Sequence, residues 1–355
     1  MKKIYLIHEN KDWLQPLEKV LLDKGIPFTE WNMVDKTINL FIPPPEGIFF
    51  NRMSASSHSR GNRYCPELTT GLISWLEVNK RLVLNGSNAQ RLELSKMVQY
   101  SELNLVGLKV PKTICSTTLK GIIEAANILK FPIIIKHNRA GMGLGVKLFH
   151  NISELKDYIY GDYFENSVDG ITLIQSYIFS PDSSIIRVEF VDKKFLYAVK
   201  VNTENGFELC PADECNVDDF NRKTKETLGS KSKSKFKIVE NFLSFSFSNY
   251  VIMKMQELMQ NVGIDIASFE LILDENNDVF VYDINVNTNY NSLAEKNTPH
   301  SGTLSVAKFL KRVSLETGQL IKPIIFLLFI SLIAKLKQLI IYLFDLVDIF
   351  WNGFC

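Results

Sequence analysis

Two apolar runs separated by the turn signal DENND, in ASFELILDENNDVFVYDIN at 267–285, read as an antiparallel hairpin. Its second arm and the residues after it put Asp283, Asn285, Asn287 and Asn289 at alternate positions, which on a strand is one face of a sheet. With Asp274 facing Val279, antiparallel counting sets Glu270 opposite Asp283. Directly opposed residues have Cβ atoms about 5 Å apart, so the two carboxylates repel unless a cation lies between them. Mg2+ takes hard oxygen ligands at roughly 2.1 Å and keeps positions free for phosphate oxygens. Glu270, Asp283 and Asn285 offer such a set, although the same residues also read as a solvated hairpin facing water.

Upstream, residues 1–86 alternate short apolar strands (KIYLIHE, FTEWNMV, GIFFNRM, RLVLNGS) with helical patterns (WLQPLEKVLLDKG, ELTTGLISWLEVNK). That alternation argues for a small parallel α/β domain. No G-x-G-x-x-G follows its first strand, so nothing marks it as a dinucleotide binder. Helices are expected over 89–107, at LKGIIEAANILK and at NYVIMKMQELMQNVG; GITLIQSYI and IIRVEFVDKKFLYAVKV add strands; 221–237 is a lysine-rich excursion.

In FPIIIKHNRAGMGLGVKLFHN (131–151) two apolar strands flank a glycine-rich loop. Lys136 ends the first strand, where a buried ammonium needs an anionic partner. Gly141, Gly143 and Gly145 follow, and glycines let a backbone approach a ligand and offer N–H groups to phosphate oxygens. G-x-x-x-x-G-K-[ST] is absent, so this is not a P-loop. The segment reads as a lid over phosphates or as an ordinary glycine-rich hairpin.

Taken in order, these pieces resemble the ATP-grasp ligases, in particular the RimK-like branch, from about residue 80 to 312. LVLNGSNAQRLELSKMVQYSELNLVGLKVPKT resembles the start of the ATP-grasp region, with Lys96 at the position of its first ATP-contacting lysine; FPIIIKHNRAGMGLGV carries the second, Lys136, and the phosphate-covering loop. LIQSYI falls where the family's hinge strand holds adenine, through backbone groups of Gln175, Ser176 and Tyr177. IIRVEFV places Arg187 at the arginine usual near the transferred phosphate, and Glu270, Asp283 and Asn285 match the acid, acid and Asn magnesium ligands. Ser176 stands where the family usually has an acid for the adenine amino group, Ile185 where it often has an Asp, and Glu and Asp are exchanged at the two metal positions.

The resemblance implies an α/β (α+β) ATP-grasp fold: an N-terminal parallel α/β domain at 1–86, a central lid-bearing subdomain at 87–170, a C-terminal antiparallel-sheet subdomain at 171–315 and an apolar helical tail at 316–355. It implies ATP and one or two Mg2+ ions, with Mn2+ as a substitute. The implied chemistry is phosphorylation of a substrate carboxylate followed by attack of an amine, on amino acids or a peptide, with Arg187, Lys136 and Lys200 as catalytic cations. A small-molecule kinase and a non-catalytic nucleotide-binding scaffold are the competing readings.

FFNRMSASSHSRGNRY (49–64) is the candidate substrate segment: Arg52, His58, Arg60 and Arg63 form a cationic stretch at a strand end, suited to carboxylates, although it also reads as a solvated basic loop. ELCPADEC (208–215) has C-x-x-x-x-C spacing without a second ligand pair, so it reads less as a zinc site than as a substrate-facing loop with Asp213 toward the amine. The 355-residue chain has 40 Lys and Arg against 39 Asp and Glu, a net charge of +1 that favours no nucleic acid. Five scattered cysteines and an N-terminal apolar run too short for a signal peptide point to a reducing, cytoplasmic setting. The segment 323–351 is strongly apolar yet carries Lys335, Lys337, Asp345 and Asp348. It is expected to be an amphipathic helix that lies on a membrane surface, pairs with a second copy, or packs on its own domain.

Overall fold

The computed structural model of the protein describes residues 1–141, 143, 145–203, 235–296 and 298–319. The first of its three sheets is wholly parallel, in the order β2-β1-β3-β4, from β1 Ile4–His8, β2 Phe28–Asn32, β3 Ile48–Asn51 and β4 Leu82–Leu84. Helices α1 Lys11–Asp23 and α2 Cys65–Val78 pack on it. β1 and β3 are buried along their whole length, which is why they read as continuous apolar runs. Asn10 caps α1 by accepting from the Asp12 and Trp13 N–H groups, and the helix turns Leu14, Leu17 and Leu21 inward.

The single helix expected over 89–107 is two, α3 Ser87–Glu93 and α4 Lys96–Leu105. Ser95 is extended and its hydroxyl accepts from Val98 N–H, so it caps a new helix instead of continuing the old one. The break puts Lys96 at the first turn of α4.

The central sheet runs β5-β8-β6-β7, from β5 Thr113–Ser116, β6 Ile133–His137, β7 Lys147–Phe149 and β8 Thr172–Ser176, with α5 Leu119–Leu129 and α6 Ile152–Ile159 beside it. β8 lies beyond the boundary expected at 170, yet it pairs with β5 and β6 and so completes this sheet. The third sheet is antiparallel, β11-β10-β9-β12-β13, from β9 Ser184–Val191, β10 Lys194–Asn202, β11 Phe236–Ile238, β12 Ile266–Leu273 and β13 Val279–Asn285. Helix α7 Ser248–Val262 joins α4 over its apolar face, around Phe190 and Phe269. The short α8 Ser292–Glu295 follows, and α9 Gly302–Gln319 lies against α1 and β9, sealing the parallel sheet to the antiparallel one.

The hairpin register departs from simple counting. β12 and β13 begin with Leu273 opposite Val279, which would leave Tyr282 facing Glu270; a bulge at Tyr282 restores Glu270 opposite Asp283 and Ser268 opposite Asn285. The expected pair forms by a different path.

Asn85 pins these layers together. It adopts φ 51° just after β4, is fully buried, and its amide donates to the Ile266 and Val286 carbonyls at 2.8 and 3.0 Å. Its oxygen accepts from the Asp265 and Ile266 N–H groups at 2.8 and 3.2 Å. Asn85→Ala strands four backbone groups, three of them in buried hydrogen bonds, in a left-handed turn that Ala tolerates poorly. A loss of about 3 kcal/mol is expected in urea unfolding, with little change in slope.

Among the described residues no helix is long and apolar enough to cross a membrane. The helix expected over 323–351 lies outside the described residues, as do Asp213 and both cysteines of 208–215.

Candidate active site

A cavity of about 290 Å³ opens between the central and antiparallel sheets. Lys96, Lys136, Arg187, Glu270, Asp283 and Asn285 all line it, from five separate elements. Gly141 and Gly143 line it from the loop joining β6 to β7, and both Gly143 and Gly145 have positive φ. Gly145 cannot carry a side chain: a Cβ there would meet the His137 ring at 2.8–2.9 Å.

Lys96 Nζ sits 2.5 Å from Asp283 Oδ1 and neutralises it. Lys136 is buried, and among the described residues no carboxylate is in ion-pair contact with it. Its ammonium donates to the Tyr282 carbonyl at 3.4 Å and lies 5.1 and 5.6 Å from the Tyr100 and Tyr282 ring centres. Burial, together with the charge on Lys96, pushes Lys136 down to about 7, against the opposing pull of Asp283 and Glu270. It is a cation on the cavity wall without an ion-pair partner among the described residues.

Glu270 is also buried. Burial first, then the negative charge of Asp283, push its carboxyl up, and Arg187 works against them. Tyr282, the bulge residue, donates its hydroxyl to Glu270 Oε2 at 2.9 Å, and the Asn285 amide nitrogen donates to Oε1 at 3.2 Å. Among the described residues no three His, Cys, Asp or Glu side chains gather to hold a metal by themselves. The opposed pair does have the chemistry of a hard-cation site: two carboxylates disfavoured in each other's presence, and an amide whose rotation presents an oxygen to the same face. These residues fit Mg2+, with phosphate oxygens to complete the shell.

Arg187 is buried and fixed through Nε and Nη2: Nε reaches Glu189 Oε1 at 3.0 Å and Ser268 Oγ at 3.1 Å, and Nη2 donates to Thr288 Oγ1 and the Asn289 carbonyl. Burial opposes its charge, but Glu189 and Glu270 hold it above the ordinary arginine range. Burial in turn raises Glu189 to about 7 despite Arg187.

Several expected site residues sit elsewhere. Lys200 pairs with Ile186 across β9 and β10 while Val199 faces Arg187, so Lys200 is on the opposite face of the sheet, where it binds Asp182 at 2.6 Å. Alternation along the strand excludes it from the cavity. Arg60 is held by Glu9 at 2.5 Å and stacks on Trp13; Arg63 is held by Glu67 at 2.5 Å; the His58 ring bonds the Ala55 carbonyl, and burial lowers its pKa. None of these three lines the cavity; Ser54 and Ser56 of the same segment do. Arg52 binds the Asn287 and Asn289 side chains and lines a neighbouring cavity.

At the hinge, Gln175, Ser176 and Tyr177 line the cavity, but their backbone donors are not free to hold a base. β8 has a neighbour on each edge; Ser176 N–H bonds the Lys112 carbonyl and Tyr177 N–H the Pro132 carbonyl. The Gln175 amide is spent on Tyr100 and Thr113. Ile178 and Phe179 carry the wall onward.

Sequence reasoning missed Trp13, Tyr282 and Glu93. Glu93 Oε1 accepts from Ala55 N–H at 3.1 Å and Oε2 from Val286 N–H at 2.8 Å, which ties the serine segment to the end of β13, and burial pushes its carboxyl up. Nothing in its own helix distinguishes it from a solvated glutamate.

Residues 97–209 match the model of the RimK-like ATP-grasp domain. Over 219 residues the chain is 24% identical to the alpha-aminoadipate–LysW ligase LysX of Sulfurisphaera tokodaii, an alignment covering 61% of this chain and 66% of that protein. The chain thus spans just under two-thirds of that relative's length. Among solved structures, a RimK domain ATP-grasp protein from Sphaerobacter thermophilus superposes with a TM-score of 0.58 at 12% identity, over 87% of this chain and 99% of its own. The ATP-grasp ligase PsnB complexed with minimal precursor, Mg and ADP gives 0.57 at 12% identity, over 87% and 96%. The fold is the ATP-grasp fold, and within it residues 97–209 resemble the RimK-like ATP-grasp domain.

Proposed function

We propose that the protein is an ATP-dependent carboxylate–amine ligase that uses Mg2+, or Mn2+ in its place, and acts on an amino acid or peptide. One observation carries the reading: Lys96, Lys136 and Arg187 converge with Glu270, Asp283 and Asn285 in a single cavity beneath a glycine-rich turn. The substrates named for relatives, aminoadipate with LysW and a precursor, support the substrate class.

Glu270, Asp283 and Asn285 would hold the metal, which supplies positive charge to the phosphoryl oxygens. Lys136, raised from its depressed state by the phosphates it meets, and Arg187, fixed by Glu189 and Thr288, orient the γ-phosphoryl. A carboxylate oxygen of the substrate attacks the γ-phosphorus as its bond to the bridging oxygen breaks, giving an acyl phosphate and ADP. The amine then attacks the acyl carbon, phosphate leaves with the acyl C–O electron pair, and the amine loses a proton. The glycine-rich turn covers the site and keeps water from the acyl phosphate. No protein nucleophile takes part.

The test is ADP release with Mg-ATP against amino acids and short peptides, with hydroxylamine present. Hydroxamate that disappears in Lys136→Ala and Asp283→Ala is the expected result. ADP without hydroxamate would make the protein a kinase or ATPase, and absence of both turnover and Mg-ATP binding would leave the scaffold reading.

A further inference from the structure

Beside the main cavity lies a second one of about 110 Å³, and Trp13 and Asn289 line both. Arg52 forms part of its wall. The Arg52 guanidinium is held rigidly: Nε donates to Asn287 Oδ1 at 3.1 Å and Nη2 to Asn289 Oδ1 at 2.8 Å. These are the last two members of the polar row that begins at Asp283, so the row has two tasks: its first half faces the phosphate site and its second half aims an arginine.

Both of those acceptors are neutral. Arg60, Arg63, Arg139 and Arg187 each have a glutamate in ion-pair contact, whereas among the described residues no carboxylate lies within that reach of Arg52. Burial pushes its guanidinium down to about 10. A partly buried cation fixed by neutral groups lacks the anion that would repay its desolvation. A guanidinium fork matches a carboxylate edge to edge. The same walls carry Asp12 and Glu295, which repel a dianion such as phosphate more strongly than a single carboxylate. The volume admits only a small molecule or a side-chain-sized group.

We propose that the second cavity is a carboxylate subsite, in which Arg52 holds a carboxylate that is not the one activated. The inference rests on the ligase reading, because it is the adjoining phosphate site that makes a bound carboxylate a substrate group. That carboxylate comes either from the amine acceptor, as an α-amino acid, or from the second acid group of a dicarboxylate being activated.

Saturation-transfer NMR on the full chain with Mg-AMPPNP present tests it, using L-alanine against L-alaninamide and succinate against succinamide. One acid should bind, with its amide at least tenfold weaker. Arg52→Gln should abolish that preference while AMPPNP still binds, and Arg52→Lys should retain part of it. Binding by L-alanine identifies the acceptor's carboxylate, and binding by succinate identifies the second acid group of the activated substrate. Amides that bind as well as acids, a preference that survives in Arg52→Gln, or no binding of any probe to the wild type would overturn the proposal. Hydroxamate formation is read separately, so the subsite can fail while the ligase reading stands.

Discussion

Replacing Lys136 with Ala is expected to lower kcat/KM for ADP formation by about 10²–10³-fold, the loss usual for one preorganised donor aimed at developing charge. Among the described residues Lys136 contacts a carbonyl and two aromatic faces and no carboxylate, and Lys96 already neutralises Asp283, so Lys136 has capacity to spare. The pH dependence follows from the same surroundings. In the free protein Lys136 is held at about 7, and phosphate oxygens favour its charged form, so nucleotide binding draws in a proton. Affinity for Mg-ATP is therefore level below pH 7 and falls toward tenfold per unit above it, each decade being about 1.4 kcal/mol. Titrations from pH 6 to 9 should show that slope in the wild type and lose it in Lys136→Ala. A wild-type affinity that stays level to pH 9 would show that the ammonium does not meet the phosphates.

Most of the architecture was legible because it rests on local pattern. Continuous apolar runs gave β1 and β3, helical periodicity gave α1, α2 and α7, and DENND gave the β12–β13 turn. Lys136, Glu270, Asp283 and Asn285 stand out in the sequence as polar groups in or at the end of apolar strands, whereas Lys96 and Arg187 come from the family resemblance alone; all six line one cavity. The errors share a different cause. The cationic loop at 49–64 looked free, but Glu9, some fifty residues before Arg60, captures that arginine, and Glu67 binds Arg63 as well as Arg139. Glu93 works through backbone groups at Ala55 and Val286 that no short window contains. Lys200 enters through the family resemblance, whereas the antiparallel register puts it on the face away from Arg187. The bulge at Tyr282 left the carboxylate pair unchanged because the turn began one residue off the expected register.

Glu270→Gln should separate function from stability. The side chain keeps its shape and an oxygen to accept from Tyr282 or Asn285, and Arg187 retains Glu189 as its partner. What disappears is a buried negative charge opposite Asp283. Because folding raises the Glu270 pKa, its ionised form is disfavoured in the folded state: stability is fully present below the ordinary carboxylate range and is lost as pH rises through the folded value. Removing the charge should therefore raise Tm at neutral or higher pH, with the gain vanishing as pH falls into the ordinary carboxylate range. The same variant should lose the Mg2+-dependent rise in Tm and at least about 10²-fold in turnover, more than is usual for a group that only supports a metal ligand. Asp283→Asn relieves the same repulsion but leaves Lys96 without the carboxylate 2.5 Å away and Lys136 without a stabilising charge. It should lose Mg2+ and turnover alike, with no gain in stability. Thermal unfolding of both variants at pH 4 and pH 8, with and without Mg2+, measures the difference. Equal stability changes in the two would mean that Lys96 does not hold Asp283 in solution, and an unchanged Mg2+ effect in both would place the metal elsewhere.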